Sequence, residues 1–151
     1  MTIGALSLDE LMAREAIRDL VARYNAGGDG GRFDDVVPLF AEDAVMEIPG
    51  ETMEGREAIA AMFRRTQQRV LASGADGPRP HVRHFTATLQ IDLEDEDHAR
   101  SRCYYQVLMA HGLDHWGRYI DHYARLEGRW LFAHRKVTVD GRREGGSPMA
   151  G

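Results

Sequence analysis

The sequence predicts an α+β fold, in which a curved, mostly antiparallel sheet wraps around N-terminal helices and encloses a conical cavity. Helical periodicity dominates the first half of the chain, and period-two alternation dominates from residue 81 onward. The turns between the later segments, such as Glu127-Gly128, are too short for the crossovers that parallel strands need. Helices followed by a meander of strands are typical of α+β domains.

The N-terminal half is predicted to contain three helices and two short strands. Ser7 and Glu10 match a capping box, and apolar residues follow at helical spacing to about Asn25. The glycine-rich stretch 26–31 is expected to end this first helix, because glycine is costly in a helix. A short helix is predicted over 32–40, strands over 44–48 and 51–54, a third helix over 56–71 and a loop over 73–80.

The C-terminal half is predicted to contain four strands, over 81–93, 98–111, 116–126 and 129–139. In the first of them polar side chains occupy the even positions His84, Thr86, Thr88 and Gln90, while the odd positions are mostly apolar. We therefore expect the even positions to share one polar face, which either faces water or lines a cavity. The domain is expected to span 1–140, with 141–151 as a flexible tail.

The composition indicates a single acidic domain and argues against several classes of partner. The chain has 151 residues and a formal net charge of −5, which fits one acidic domain. Without a basic cluster, neither nucleic acid nor an anionic membrane is expected as a partner. Cys103 is the single cysteine, so an intrachain disulfide is excluded. No leader or membrane-spanning stretch is recognised, and a cytoplasmic location is expected.

Five segments resemble the nuclear-transport-factor-like superfamily, which includes SnoaL-like and cystatin-like proteins: PLFAEDAVMEI, GREAIAAMF, RHFTATLQID, ARSRCYYQVL and GRYIDHYARLEGRWLFAHRKV. The resemblance covers about residues 8–140 and implies the cone-shaped fold and a homodimer or homotrimer. Members with this fold include scytalone dehydratase, ketosteroid isomerase and a dehydrochlorinase. Others are non-catalytic, such as the small subunits of ring-hydroxylating dioxygenases, so the fold does not by itself define the activity.

The dehydratase and dehydrochlorinase branch implies three catalytic residues. His84 matches the family's base, Asp29 matches the aspartate that orients it, and Tyr24 matches an assisting tyrosine. The chain departs from the bile-acid dehydratase pattern on the next strand, where an acid is missing and Gln106 is the nearest polar residue. An ordinary strand histidine and a turn aspartate remain the alternative interpretation of His84 and Asp29.

The three residues suit proton-transfer chemistry. Imidazole can accept a proton near neutral pH, and a carboxylate on its other nitrogen stabilises the imidazolium. A tyrosine can donate a hydrogen bond to a developing oxyanion or to a departing hydroxyl. No cofactor is needed, and no metal is expected, since His81 and His84 would point to opposite faces of a strand. The expected substrate-binding residues are Phe33, Tyr105, Gln106, Trp116 and Phe132.

Two functions remain open. The first is a cofactor-independent lyase or isomerase acting on a small hydrophobic cyclic substrate such as a polyketide, steroid or xenobiotic. The second is a non-catalytic ligand-binding or assembly module of the same fold, resembling a dioxygenase small subunit. Arg118 and Arg135 are expected to line the cone or an oligomer face. His122 and His134 are expected to pair on neighbouring strands, and His111 and His115 to be solvated at a turn.

Overall fold

The computed structural model describes residues 4–73 and 81–146. Its helices are α1 (Leu8–Asp29), α2 (Phe33–Val36), which runs into a 3₁₀ turn (Val37–Leu39), and α3 (Arg56–Ser73). Its strands are β1 (Phe40–Ile48), β2 (Glu51–Glu54), β3 (Arg83–Leu93), β4 (His98–Met109), β5 (Gly112–Leu126) and β6 (Arg129–Arg142). Residues 74–80 of the predicted loop lie outside the described residues.

The six strands form one curved sheet in the order β2-β1-β6-β5-β4-β3. Neighbouring strands are antiparallel except β1 and β6, which run parallel. The predicted α+β class and mostly antiparallel sheet are therefore confirmed. No helix in the described ranges 4–73 and 81–146 is long and apolar enough to cross a bilayer.

Helix α1 is longer than the sequence predicts. The capping box is present, with the Ser7 hydroxyl accepting from the Glu10 amide. At the other end the helix runs through Gly27 to Asp29, and the cap is Gly30. A Cβ built on Gly27 would lie 2.6 Å from Cγ2 of Val36, so the missing side chain lets α2 pack tightly against α1. This contact offsets the helical cost of glycine and leaves Asp29 as the last helical residue rather than a turn residue.

A β-bulge in β3 overturns the predicted polar face. Thr88 has φ +54°, and the register with β4 shifts between Ala87 and Gln90. Before the bulge, His84 pairs with Val107, which is buried, so both point to the helix-covered face of the sheet. The extra residue reverses the alternation, because side chains alternate strictly only along a regular strand. His84 therefore shares its face with buried Ile91 rather than with Gln90.

The C-terminal end of the sheet differs from the predicted boundary. Strand β6 continues to Arg142, beyond the predicted end at residue 139. The predicted tail 141–151 thus begins within this strand, and residues 147–151 lie outside the described residues.

The core lies between the helices and the inner face of the sheet. Its main cluster joins α1, α3, β1 and β6 around the fully buried side chains of Ile17, Ile59, Phe40 and Phe132. A smaller cluster, formed by Cys103, Tyr105, Val107 and Tyr119, continues the core across β4 and β5. Side chains thereby fill much of the interior of the cone.

Candidate active site

A histidine and an aspartate form a close pair where α1 meets β3. Nδ1 of His84 lies 2.5 Å from Oδ1 of Asp29, and the backbone N–H of His84 donates to Oδ2 at 2.9 Å. The side chains are 26% and 11% exposed, respectively. Both carboxylate oxygens are therefore occupied by one residue, in a partly desolvated site that strengthens charge-assisted hydrogen bonds.

The fold explains why these two residues meet. β3 is an edge strand, so the backbone groups on its outer side have no neighbouring strand to bond. Asp29, at the end of α1, supplies the missing acceptor for the His84 N–H. The same carboxylate then reaches the imidazole ring, which the strand directs towards the helices. The sequence prediction that these two residues lie together is matched by this geometry, while their catalytic role stays a prediction.

The pairing fixes the tautomer of the imidazole. An ionised carboxylate can only accept hydrogen bonds, so Nδ1 of His84 must carry the proton that is shared with Asp29. In the neutral ring, Nε2 is then left with a free lone pair. The arrangement can accept a proton at Nε2 while Asp29 stabilises the imidazolium that results.

An open pocket of about 490 Å³ adjoins the pair. Its wall is formed by the last turns of α1, the segment after it and the start of β3: Ala22, Asn25, Ala26, Asp29, Gly30, Arg32, Arg83, His84 and Thr86. A volume of this size accommodates a small organic molecule. The wall is more polar than the sequence interpretation predicted, since its apolar side chains are limited to the two alanines.

Tyr24, the third predicted catalytic residue, lies in the core beside this pocket. Its ring packs edge-on against Phe132 at 5.7 Å and against Tyr119 at 6.2 Å. Burial raises the pKa of Tyr24, and the neighbouring Arg135 charge offsets this only in part. The hydroxyl is therefore kept protonated, as a hydrogen-bond donor must be. Tyr24 is not among the residues that form the pocket wall, and its predicted role stays a prediction.

A buried arginine lies behind Tyr24. The guanidinium of Arg135 stacks on Tyr24 at 4.2 Å and on Tyr119 at 4.1 Å, and it donates two 2.8 Å bonds to Asp121. Burial would lower the pKa of Arg135, but the charge and hydrogen bonds of Asp121 more than offset it, so the net pKa is raised. Its Nη1 is buried and has no hydrogen-bond partner among the described residues.

The sequence interpretation left the position of Arg135 open between the cone and an oligomer face, and the structure places it inside. Counting outward from the Gly128 turn would pair Asp121 with His134. A register shift between His122 and Tyr123 moves the partner to Arg135, so the sequence pattern carried no signal for this pair. A buried charge opposite its counter-charge is typical of a satisfied pair.

The five predicted substrate-binding residues lie elsewhere. Phe33 stacks on the α3 side of the core, and Phe132 is fully buried in it. Tyr105 is buried, and its hydroxyl donates to the Thr138 carbonyl at 2.8 Å. Gln106 and Trp116 point to the outer face of the sheet, opposite His84. None of the five forms the wall of this pocket, because aromatic side chains fill the interior that was expected to be hollow.

The remaining histidines give mixed outcomes. His122 and His134 are direct cross-strand partners with stacked rings 5.9 Å apart, as predicted. The expectation of solvated side chains at the β4–β5 turn is wrong for His115, which is 13% exposed. Asp114, fully buried in a bulge, accepts from both His111 at 2.9 Å and His115 at 2.7 Å. A buried carboxylate needs such partners, and the two histidines supply them.

Comparisons with known proteins agree with this fold. The family model for the SnoaL-like domain matches residues 9–136. A search of the curated proteins finds no match to the chain. Among solved structures, it is similar to an NTF2-like protein with a cystatin-like fold from Novosphingobium aromaticivorans, with 25% identity, a TM-score of 0.70 and coverage of 98% of this chain and 99% of that one.

Two further structures share the fold at lower identity. A protein of unknown function with a cystatin-like fold from Nostoc punctiforme is 20% identical, with a TM-score of 0.72 over 91% of this chain and 96% of that one. The hexachlorocyclohexane dehydrochlorinase LinA-type3 from Novosphingobium barchaimii is 19% identical, with a TM-score of 0.74 over 90% and 92%. Because the family model covers most of the chain and the fold agrees, the chain belongs to the SnoaL-like domain family.

Proposed function

We propose that the chain is a cofactor-independent lyase or isomerase in which His84 abstracts a proton from a small organic substrate. The observation that carries this proposal is the His84–Asp29 pair, with both carboxylate oxygens bound to the histidine and an open pocket beside it. A solely structural aspartate could satisfy the backbone N–H without also holding the ring. Structural neighbours that include a dehydrochlorinase support the same kind of chemistry.

The proposed reaction begins at Nε2 of His84. This nitrogen takes a proton from a carbon beside a carbonyl or beside a leaving group, and the C–H electron pair moves into a new double bond. In an elimination, the leaving group departs with its own electron pair, as hydroxide or halide. In an isomerisation, the imidazolium returns the proton to a different carbon. Asp29 stabilises the imidazolium in both cases.

Tyr24 is proposed as the hydrogen-bond donor to the oxygen that gains charge. Because its ring packs against Phe132 and Tyr119 behind the pocket wall, the substrate must reach past that wall to meet the hydroxyl. Its raised pKa fits a donor that stays neutral throughout the reaction rather than one that ionises. The ring lies within contact distance of the Arg135 guanidinium, whose positive charge polarises the hydroxyl further. The proposed substrate is a small cyclic compound such as a polyketide, steroid or xenobiotic, in agreement with a pocket of about 490 Å³.

A second candidate is an assembly module, and the outer face of the sheet favours it. Phe85, Tyr104, Trp116 and Ile120 are exposed there on three adjacent strands, at 51%, 59%, 39% and 38%. Polar side chains lie between them, with Gln106 between Phe85 and Trp116 and Arg102 beside Ile120. A surface that mixes exposed aromatic side chains with arginine is typical of a protein interface. We propose that a homodimer or homotrimer forms through this face, which is compatible with catalysis on the opposite face.

The first proposal is tested by hydrogen–deuterium exchange. The protein is incubated in D₂O with cyclic ketones, and loss of the proton signal beside the carbonyl is followed by NMR. We expect exchange with at least one ketone, reduced about 10²–10⁴-fold by His84→Asn. The matched control is His98→Asn, since His98 forms an exposed pair with Asp95 at 2.9 Å. Equal exchange by the wild type and His84→Asn would contradict the proposal.

A further inference from the structure

We propose that the pocket binds an organic oxyanion, a carboxylate or a phosphate group, through Arg32 and Arg83. This inference rests on the proposed function, because it names a substrate class for the same site. Both arginines belong to the pocket wall that contains His84 and Asp29. Guanidinium groups present planar forks of N–H donors that match the geometry of carboxylate and phosphate oxygens.

The charge balance of the wall supports an anion. The whole chain is acidic, with a formal net charge of −5. The pocket wall nevertheless holds two guanidinium groups and one carboxylate. That carboxylate, Asp29, uses Oδ1 and Oδ2 on His84 and is not paired with either arginine. Arg32 has Asp35 as an ion-pair partner at 3.4 Å, whereas Arg83 has no carboxylate partner among the described residues. The Arg83 charge is therefore left to attract an anionic ligand into the pocket.

Arg32 is held in place at the wall. Its Nη2 donates to the Ala26 carbonyl at 3.1 Å, and its Nε lies 3.4 Å from a carboxylate oxygen of Asp35. The guanidinium also lies against Gly30, where a Cβ would overlap Nη1. Capping the end of α1 explains one of these contacts. The missing side chain at Gly30 makes room for the guanidinium at the pocket wall, to which both residues belong.

Arg83 is available for a ligand. Its described hydrogen bond runs from Nη1 to the carbonyl of the preceding residue, Val82, at 2.7 Å. No carboxylate among the described residues forms an ion pair with it, in contrast to several exposed arginines that do: Arg23, Arg65, Arg100 and Arg118. Arg83 directly precedes His84, so the two side chains leave β3 on opposite faces, but both residues belong to the pocket wall at the free edge of this strand. The Arg83 side chain can meet an anion in the pocket around that edge.

An anchored anion would help the proposed chemistry. Binding energy gained at a group remote from the reacting carbon can hold that carbon against Nε2 of His84. The small side chains of Ala22 and Ala26 leave room for the apolar body of the ligand between the two arginines and α1. The expected substrate is thus a small cyclic acid or phosphate ester rather than a neutral hydrocarbon.

The test measures binding, so that it does not depend on turnover. Three probes of the same ring system are titrated into the protein and followed by amide NMR shifts: 2-naphthoate, 2-naphthyl phosphate and the neutral 2-naphthamide. We expect one or both anions to bind at least about tenfold more tightly than the amide. Whichever anion binds more tightly identifies the acid group that the site prefers. Added salt should weaken the anions and leave the amide unchanged.

Variants locate the effect. Arg83→Gln and Arg32→Gln should each reduce anion affinity about tenfold and leave the amide within about twofold. Arg129→Gln is the control, because it removes the same charge from an exposed position at the opposite end of the sheet. Equal affinity for anion and amide, or no anion binding at millimolar concentration, would overturn the inference. An equal loss in Arg129→Gln would also overturn it.

The two proposals can fail separately. His84→Asn should retain the preference for anions, since the arginines carry it, while it abolishes proton exchange. Anion binding without any exchange activity would leave the oxyanion site standing and refute the proposed function. Exchange activity on neutral ketones without an anion preference would support the proposed function and refute the oxyanion site.

Discussion

Removal of the Asp121 carboxylate should destabilise the protein strongly. Asp121 and Arg135 are both fully buried and share two hydrogen bonds of 2.8 Å. Replacement of Asp121 by asparagine keeps the size of the side chain but leaves a guanidinium charge uncompensated inside the core. Breaking one partner of a buried pair costs about 3–5 kcal/mol. At about 2–4 °C per kcal/mol for a domain of this size, the midpoint should fall by roughly 6–20 °C.

The assays are thermal unfolding for the midpoint and urea unfolding for the free energy, both followed by tryptophan fluorescence, with Asp140→Asn as the matched control. Asp140 pairs with Arg118 across the same two strands at 3.1 Å, but these side chains are 38% and 51% exposed. An exposed pair of this kind is worth less than about 1 kcal/mol. The double variant Asp121→Asn with Arg135→Met should recover much of the loss, because it removes the orphaned charge. Equal losses in Asp121→Asn and Asp140→Asn would refute the reasoning.

Three further predictions test the packing, the buried hydroxyls and the outer face. Gly28→Ala should stabilise the protein by about 0.5–1 kcal/mol in thermal unfolding, whereas Gly27→Ala should destabilise it, since its Cβ would meet Val36 at 2.6 Å. Burial raises the pKa of Tyr105 to about 12 from 10.0, so its stabilising contribution, complete below pH 10, is lost as the pH rises through 12. Between pH 10 and 12, the free energy of unfolding of the wild type should therefore fall more steeply than that of Tyr105→Phe. Light scattering should show an oligomer that Phe85→Glu dissociates; a monomeric wild type would contradict that interface.

The order and type of the elements could be predicted because they depend on local patterns. The Ser7–Glu10 capping box and the short turn at Gly128 are each specified within a few residues. The end of α1 could not be predicted in this way. Gly27 and Gly28 favour a break, and the contact between Gly27 and Val36 that overrides it forms only once α2 has folded back.

The candidate site also depends on contacts that local sequence patterns do not predict. The family resemblance brought His84 and Asp29 together, although no local pattern joins residues that far apart. The face on which His84 lies depends on the bulge at Thr88, which is set by the register with β4. The buried positions of Tyr105 and Phe132 depend on how completely the aromatic side chains fill the cone, and single-strand periodicity carries no such information.

The most direct measurement of the central claim is the tautomer of neutral His84, determined from the ¹⁵N shifts of its ring nitrogens. We expect a proton on Nδ1, held by Asp29, and a free lone pair on Nε2. In Asp29→Asn this preference should weaken, since an amide oxygen is a poorer acceptor than a carboxylate. A proton on Nε2 in the wild type would contradict the proposed role of His84, because the nitrogen proposed as the base would then have no lone pair to accept a proton.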